Sequence, residues 1–346
     1  VTSATTPSPA PLHPAQALFG ASDLPSALPA CDHYAGVEAR MRKSLALQAE
    51  LGERYGGAVF DATLDAEDGA PVGGELEHAL LMAELVASSE NRYGRVGARV
   101  HPVGHRCFDE EVHALLSRCG ERLAYLMVPK PEHLDDVRQA CDRIDAIAAS
   151  LGLQRRVPVH VLVETHGALR DVWAIAAHPR IESVSFGLMD FVSAHRGAIP
   201  ASGMTAGGQF SHPLVLRAKL EIAAACHAAA KTPSHCVVTE FNDLDALRAA
   251  ASKAARELGY TRMWSIHPNQ IRTIVEAFAP DEAEVEAAAE ILLAAQAAAW
   301  GPIRHKTRGT DTLHDRASYR YYWHVLARAH RTGRTLPDAA LTAFFT

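Results

Sequence analysis

Short apolar runs alternate with helix-patterned stretches along most of this chain, and that alternation points to parallel α/β architecture. Strand-like runs fall at 57–60, 96–100, 123–128, 159–163, 184–186, 236–238 and 263–266. Helical patterns lie between them at 74–88, 109–119, 131–151, 165–177, 213–230 and 243–258. A short first strand near 17–19 would complete eight. Eight βα units in about 250 residues is the size of a TIM barrel. An open doubly wound sheet competes with it, but no G-x-G-x-x-G turn follows the first strands, which disfavours the dinucleotide-binding form. The expected fold is therefore α/β, a (β/α)8 barrel over 15–275. A flexible tail, 1–14, rich in Ser, Thr, Ala and Pro, precedes it, and a helical extension, 276–346, follows.

The extension is expected to be helical throughout. Residues 281–300 form a strong helix pattern with acidic residues loading its positive N-terminal end. A loop over 301–313 precedes a last long helix at 315–332. That loop carries Arg304, His305, Lys306 and Arg308, which suit phosphate contact or simple solvation equally well.

Composition narrows the class of partner. The 346 residues are 48% hydrophobic and 21% charged, ordinary for a globular protein with a sizeable core. A net charge of -6 argues against nucleic acid as the main partner, yet leaves room for a local basic pocket holding an anion. No apolar run reaches the length that crosses a bilayer. Cys31, Cys107, Cys119, Cys141, Cys226 and Cys236 form no C-x-x-C pair, so reduced cysteines in a cytoplasmic protein are expected. The first residues lack the charged start and apolar core of a secretory signal.

Two carboxylates carry the chemistry most directly. Glu164 closes one strand-like run and Asp190 the next, where the chain should leave each strand for a helix. Carboxylates at the C-terminal ends of successive parallel strands can share one hard divalent cation. Mg²⁺ usually takes one or two protein carboxylates and leaves its other positions to water and substrate. The alternative is helix capping, although Thr165 can cap the following helix by itself. His101 and His105 have i, i+4 spacing, but Pro102 and Gly104 oppose a helix that would present both to zinc.

Six segments occur in a telling order: LDAEDGAP (64–71), ARVHP (98–102), MVPKPEHLDDV (127–137), VLVETHGAL (161–169), FGLMDF (186–191) and SIHPNQI (265–271). Together they resemble the HpcH/HpaI aldolase and citrate lyase superfamily, closest to its citrate lyase β-subunit-like and malyl-CoA lyase branch, over roughly residues 60–315. The resemblance implies a TIM barrel with Mg²⁺ held between Glu164 and Asp190. A 2-oxo acid would chelate the metal, and the backbone amides of Gly187, Leu188, Met189 and Asp190 would grip its carboxylate. Arg99 would neutralise oxyanion charge as a carbon–carbon bond forms or breaks. Glu67 and Asp68 would orient metal-bound water and Arg99.

Lys130 matches the family's lysine. A Schiff base would need a buried amine of lowered pKa; the metal pair makes one unnecessary, so an ion-pairing role is expected. His267 would lie near the active-site mouth or be satisfied at a turn. In the lyase branch an aspartate from the C-terminal region, donated by a neighbouring subunit, is the acid/base; Asp315 aligns with it ahead of Asp311, and also suits the N-cap of the last helix. The resemblance implies a homo-oligomer, expected to be a trimer or hexamer.

The chain also departs from the branch. The usual Arg-Ser pair leading into a Phe-Val-Pro-Gly strand end is poorly matched by residues 16–22 (QALFGAS), which lack the arginine that helps relatives hold CoA. His101 replaces an Asn, and Arg262-Met263 stands where many members carry Gly-Lys, implying altered substrate preference on a retained metal scaffold. Three readings follow. The first is a Mg²⁺-dependent lyase cleaving a 3-hydroxyacyl-CoA of malyl-CoA or citramalyl-CoA type into an acyl-CoA and a 2-oxo acid. The second is a CoA-independent Mg²⁺-dependent aldolase acting on 4-hydroxy-2-oxo acids. The third is a non-catalytic citrate-lyase-like subunit, disfavoured by the presence of Glu164, Asp190 and Arg99.

Overall fold

In the computed structural model, residues 12–20, 28–307 and 310–345 are described. The chain begins with α1 (Pro14–Phe19) and then alternates: β1 (Cys31–Ala35), α2 (Glu38–Tyr55), β2 (Phe60–Asp65), α3 (Glu75–Ala87), β3 (Val96–Arg99), α4 (Phe108–Cys119), β4 (Leu126–Val128), α5 (Leu134–Ser150) and β5 (Val159–Val163). Next come α6 (His166–Arg170), α7 (Val172–Ala177), β6 (Ile181–Phe186), α8 (Leu188–Ser193), α9 (Pro213–Ala228), β7 (Thr232–His235), α10 (Leu244–Arg256), β8 (Arg262–Ser265) and α11 (Pro268–Phe278). The eight strands pair in sequence order as a closed barrel. Closure is direct: Cys31 of β1 pairs in parallel with Met263 of β8. The chain is thus the expected TIM barrel.

Contacts divide the chain into two compact units, one spanning Pro25–Phe278 and one combining the N-terminal segment with Ala279–Thr346. Six of the seven strand runs read from sequence overlap a barrel strand. The first strand does not fall at 17–19. That stretch is helix α1, started by Pro14 at a position where a missing N–H costs nothing and capped by His13, whose ring accepts from the Ala15 amide. It belongs with the C-terminal unit rather than the barrel. Of the tail, residues 1–11 lie outside the described residues, as do 21–22 of the QALFGAS stretch and Arg308.

The true first strand leads into α2, whose inward stripe of Met41, Leu45, Gln48 and Leu51 has helical spacing among many charges. Seventh in order is TPSH rather than the apolar 236–238 run, and it pairs through Pro233↔Val184 despite its poor strand propensity. Asp171 divides the expected helix at 165–177, where its carboxylate accepts the Leu134 amide at 3.1 Å.

The lower half of the barrel interior is polar. Arg262 is wholly buried, ion-paired to Asp61 and, at 3.1 Å, to Asp32. Arg95 grips Asp61 through two hydrogen bonds of 2.6 and 2.8 Å, and Thr63 donates to Asp32 at 2.6 Å. Two guanidinium groups facing two carboxylates form a balanced plug below the site. Arg262 is therefore a structural ion-pair partner, and the substrate preference attached to its identity is corrected.

In the second unit, α12 (Glu282–Ala297) begins with a capping box in which Asp281 accepts from Glu284 N at 2.8 Å. Residues 303–314 are not a loop. They form an antiparallel pair, β9 (Ile303–Thr307) and β10 (Thr310–His314), before α13 (Arg316–Arg331) and α14 (Asp338–Phe344). Ile291, Leu292, Trp300, Tyr319, Trp323 and Leu326 build its core. Two of the expected basic residues are already answered here: Arg304 pairs with Asp311, and His305 with Glu290 at 2.9 Å. All six cysteines are buried and unpaired. No helix among the described residues is long and apolar enough to cross a membrane.

Candidate active site

The residues singled out in the barrel converge on the C-terminal ends of its strands, the face on which such barrels place their chemistry. Glu164 follows β5 directly and is buried; Asp190 lies in the first turn of α8, after β6, and is partly open. Helix capping does not occupy Glu164, because Thr165 caps α6 by accepting from Ala168 N at 3.0 Å. Lys130, just beyond β4, touches both carboxylates. Its backbone N–H donates to Glu164 Oε1 at 3.1 Å, and its ammonium stands 3.7 Å from Asp190 Oδ1. Burial first, and then the neighbouring Asp190 charge, push the Glu164 carboxyl well above the usual range. Such a pair lowers its mutual repulsion by taking up a cation.

The turn before Asp190 fits this arrangement. A Cβ on Gly187 would lie 2.2 Å from Glu164 Oε2, so only glycine leaves the carboxylate its place. The Gly187 amide itself donates to the Val163 carbonyl at 3.0 Å and is not available for a substrate carboxylate. The expected grip by four amides is thereby reduced to those of Leu188, Met189 and Asp190 at the start of α8. Two carboxylates, one buried and one partly open to solvent, suit Mg²⁺, which demands few protein ligands. Among the described residues no group of three or more His, Cys, Asp and Glu side chains is arranged to enclose a metal. The donor set present fits a hard divalent cation.

Arg99, the last residue of β3, is buried and held by a partner outside the expected set. Asp65, at the end of β2, takes its Nε and Nη2 in two hydrogen bonds of 2.6 Å. Glu67 adds an ion pair at 3.1 Å. Burial opposes the guanidinium charge, but Asp65, with Glu67 and Tyr34 added, more than offsets this and the group stays protonated. Asp65 also accepts from Glu67 N at 3.0 Å and Gly69 N at 2.8 Å, so one carboxylate shapes the acidic loop and aims the arginine. Asp68 faces Lys130 at 2.7 Å rather than Arg99. Lys130 binds Glu67 as well; burial would lower its pKa, yet these hydrogen bonds raise it. An ammonium so held is no Schiff-base nucleophile, in line with the expected ion-pairing role.

Aromatic groups complete the wall. Tyr34 of β1 and Trp264 of β8 both lie against the Arg99 guanidinium, 5.2 and 5.8 Å from their ring centroids. Sequence reasoning passed over Asp65, Tyr34 and Trp264. Asp65 carried a signal, a carboxylate at a strand end inside LDAEDGAP; the two aromatics lie in no motif that would single them out. Beside Tyr34 opens a cleft of roughly 520 Å³ lined by Arg40, Lys43, Gly69, Phe241 and His267 among others. His267 is thus at the mouth, stacked on Phe241 with centroids 5.1 Å apart. His101 is tied to Glu111 through both its backbone N–H and its ring, joining the end of β3 to α4.

Gly36 and Gly69 bring the loops after β1 and β2 into contact. A Cβ on Gly36 would meet the Gly69 carbonyl oxygen at 2.0 Å. In the second unit, Asp315 is the N-cap of α13 and accepts from Ala317 N at 2.9 Å, while Asp311 is spent on Arg304.

A family model described as HpcH/HpaI aldolase/citrate lyase matches residues 64–268. The L-malyl-CoA/β-methylmalyl-CoA lyase of Rhodobacter capsulatus is 30% identical over 233 residues, covering 64% of this chain and 72% of that protein. A crystal structure of a citrate lyase from Burkholderia xenovorans LB400 is 53% identical with a TM-score of 0.81, covering 96% of this chain and 100% of that one. The CitE protein of Mycobacterium tuberculosis, crystallised with magnesium, acetoacetate and coenzyme A, shares the fold at 20% identity, with a TM-score of 0.62 over 88% of this chain and 98% of that one. The chain belongs to the HpcH/HpaI aldolase/citrate lyase family and is a carbon–carbon lyase of that type.

Proposed function

We propose that this protein is a Mg²⁺-dependent lyase that cleaves a 3-hydroxyacyl-CoA, of malyl-CoA or citramalyl-CoA type, into an acyl-CoA and a 2-oxo acid. The observation that carries this reading is the Glu164–Asp190 pair bridged by Lys130, on the barrel face that also bears a cleft with Arg40 and Lys43. Glu164 and Asp190 would hold the ion, and bound Mg²⁺ would polarise the oxygens of the oxo-acid portion. The amides of Leu188, Met189 and Asp190 would orient the substrate carboxylate. Arg99, fixed by Asp65, would face charge that develops on the reacting oxygens, while Glu67 and Asp68 would keep Lys130 in place.

The cleft favours a thioester over a free hydroxy-oxo acid. The first barrel strand is Cys31–Ala35, not the QALFGAS stretch, so the missing arginine there says little about CoA. Arg40 and Lys43, exposed on α2, supply cations at the cleft instead. Relatives named for malyl-CoA cleavage and a fold neighbour holding magnesium and coenzyme A support the same choice. Asp315, from a neighbouring subunit of a trimer or hexamer, would serve as acid/base on the acyl-CoA carbon.

With Mg²⁺ present, the purified protein should release glyoxylate from malyl-CoA or pyruvate from citramalyl-CoA. Turnover of free 4-hydroxy-2-oxo acids with none on either thioester would establish the CoA-independent aldolase instead. Asp315→Asn preserves a capping side chain but removes the base, so it should lose turnover without losing thermal stability. Full activity in Glu164→Ala/Asp190→Ala would overturn the metal assignment.

A further inference from the structure

Tyr34 has no task in the scheme above, although its surroundings give it a defined position. Its ring stands between two environments: the cation-bearing cleft, whose wall it shares with His33, Gly36 and His267, and the inward cluster of Met127, Leu162 and Trp264. Several contacts fix the ring. Trp264 packs on it with centroids 4.8 Å apart at 60°, and the indole is itself anchored by Nε1 donating to Ser185 Oγ at 2.9 Å. The Arg99 guanidinium covers the ring, and a Cβ on Gly69 would come within 3.4 Å of its edge.

The phenol at the end of this held ring has no hydrogen-bond partner among the described residues. The hydroxyl is not among the fully buried polar atoms, so it opens to solvent and is free to meet a ligand. The cations nearby are in a different state. Arg99 is answered by Asp65 and Glu67, and Lys130 by Glu67 and Asp68. Their charge is already shared with carboxylates, whereas the Tyr34 hydroxyl is a neutral donor with no such partner and is available to a substrate oxygen. Burial raises the Tyr34 pKa, with Arg99 opposing, so the group keeps its proton at neutral pH.

We propose that Tyr34 Oη donates a hydrogen bond to the thioester carbonyl oxygen of the 3-hydroxyacyl thioester and is a catalytic residue of this lyase. The inference rests on the function proposed above. In cleavage, the bond breaks between the hydroxyl-bearing carbon and the carbon next to the thioester. Its electron pair moves onto the thioester carbonyl oxygen as an enolate, the hydroxyl proton leaves to a base, and the carbon then takes up a proton to give the acyl thioester. Tyr34 keeps its own proton throughout. Its hydrogen bond strengthens as the carbonyl oxygen becomes an enolate oxygen, so the interaction favours the transition state over bound substrate.

The test compares the unmodified chain with Tyr34→Phe, which retains the ring that covers Arg99. With Mg²⁺ and malyl-CoA or citramalyl-CoA, Tyr34→Phe should lower kcat on the order of 10²-fold, the effect of removing one oxyanion donor, with KM little changed. Exchange of solvent deuterium into the acyl-CoA product carbon, which reports enolate formation alone, should fall in parallel. Melting temperature and calorimetric binding of pyruvate with Mg²⁺ should stay as in the unmodified chain. Turnover by Tyr34→Phe within twofold of the unmodified chain, or a loss confined to KM, overturns this inference alone. Failure of the unmodified chain to cleave either thioester overturns the proposed function and this inference with it.

Discussion

Glu164 sets the pH behaviour of the site. Its carboxyl pKa is raised by burial and by Asp190, so without an ion the folded state binds a proton there that the unfolded chain has released. The sign follows: stability from this group is present at low pH and is lost as pH rises through the raised folded value. A cation must displace that proton, so Mg²⁺ should bind more tightly as pH rises. Thermal melts should show a larger Mg²⁺-induced rise in Tm at about pH 8 than at about pH 6, and Glu164→Gln should abolish the difference. Gly187 supports the same carboxylate by having no side chain. Gly187→Ala must move Glu164, and turnover should fall on the order of 10²-fold, the scale of an ångström-sized misplacement. Intact activity in this variant would show that Glu164 is not confined by the turn.

Helix starts and strand ends were legible where a side chain had one local task. Thr165 caps α6 and so leaves Glu164 to the site. Thr165→Ala should cost about 1 kcal/mol of stability in denaturant unfolding. The strand-end carboxylates were visible because a charge closing an apolar run has few structural uses. Other elements depended on context. α2 escaped notice because its apolar stripe is interrupted by charges, and its absence from the reading pushed the first strand toward 17–19, an apolar run too short to tell helix from strand. β7 contains Pro, Ser and His, and its pairing comes from barrel closure rather than propensity. Asp65 was hidden among the carboxylates of one motif, since spacing alone does not say which of them meets Arg99. Arg262 read as a change near the substrate because its neighbours in sequence are at the mouth, whereas its side chain fills the barrel below.

At the scale of the whole barrel, the polar plug and the site above it have separate duties. Arg262→Met would leave Asp32 without its cation, Asp61 keeping Arg95, and should destabilise the fold by about 3–5 kcal/mol in denaturant unfolding. Behind β7, Lys219 is buried with Gln209 as its hydrogen-bond acceptor at 2.6 Å, and burial pulls its pKa from 10.5 down to about 8. A depressed base contributes stability above the unfolded value that is lost as pH falls toward 8. Lys219→Met should therefore raise Tm at neutral pH, with the gain shrinking in alkaline buffer; an unchanged difference across that range would assign the effect to packing alone.

The meeting of Gly36 with Gly69 has an evolutionary consequence. Because the two backbones touch without side chains between them, the loop that borders the cleft and the loop that bears Glu67 and Asp68 share one boundary. Widening the cleft for a bulkier acyl group by reshaping the first loop also displaces the acidic loop that braces Lys130 and Arg99. Changes in substrate size are therefore coupled to loss of rate unless substitutions arise in both loops together, and lineages adapting this scaffold should acquire them in pairs.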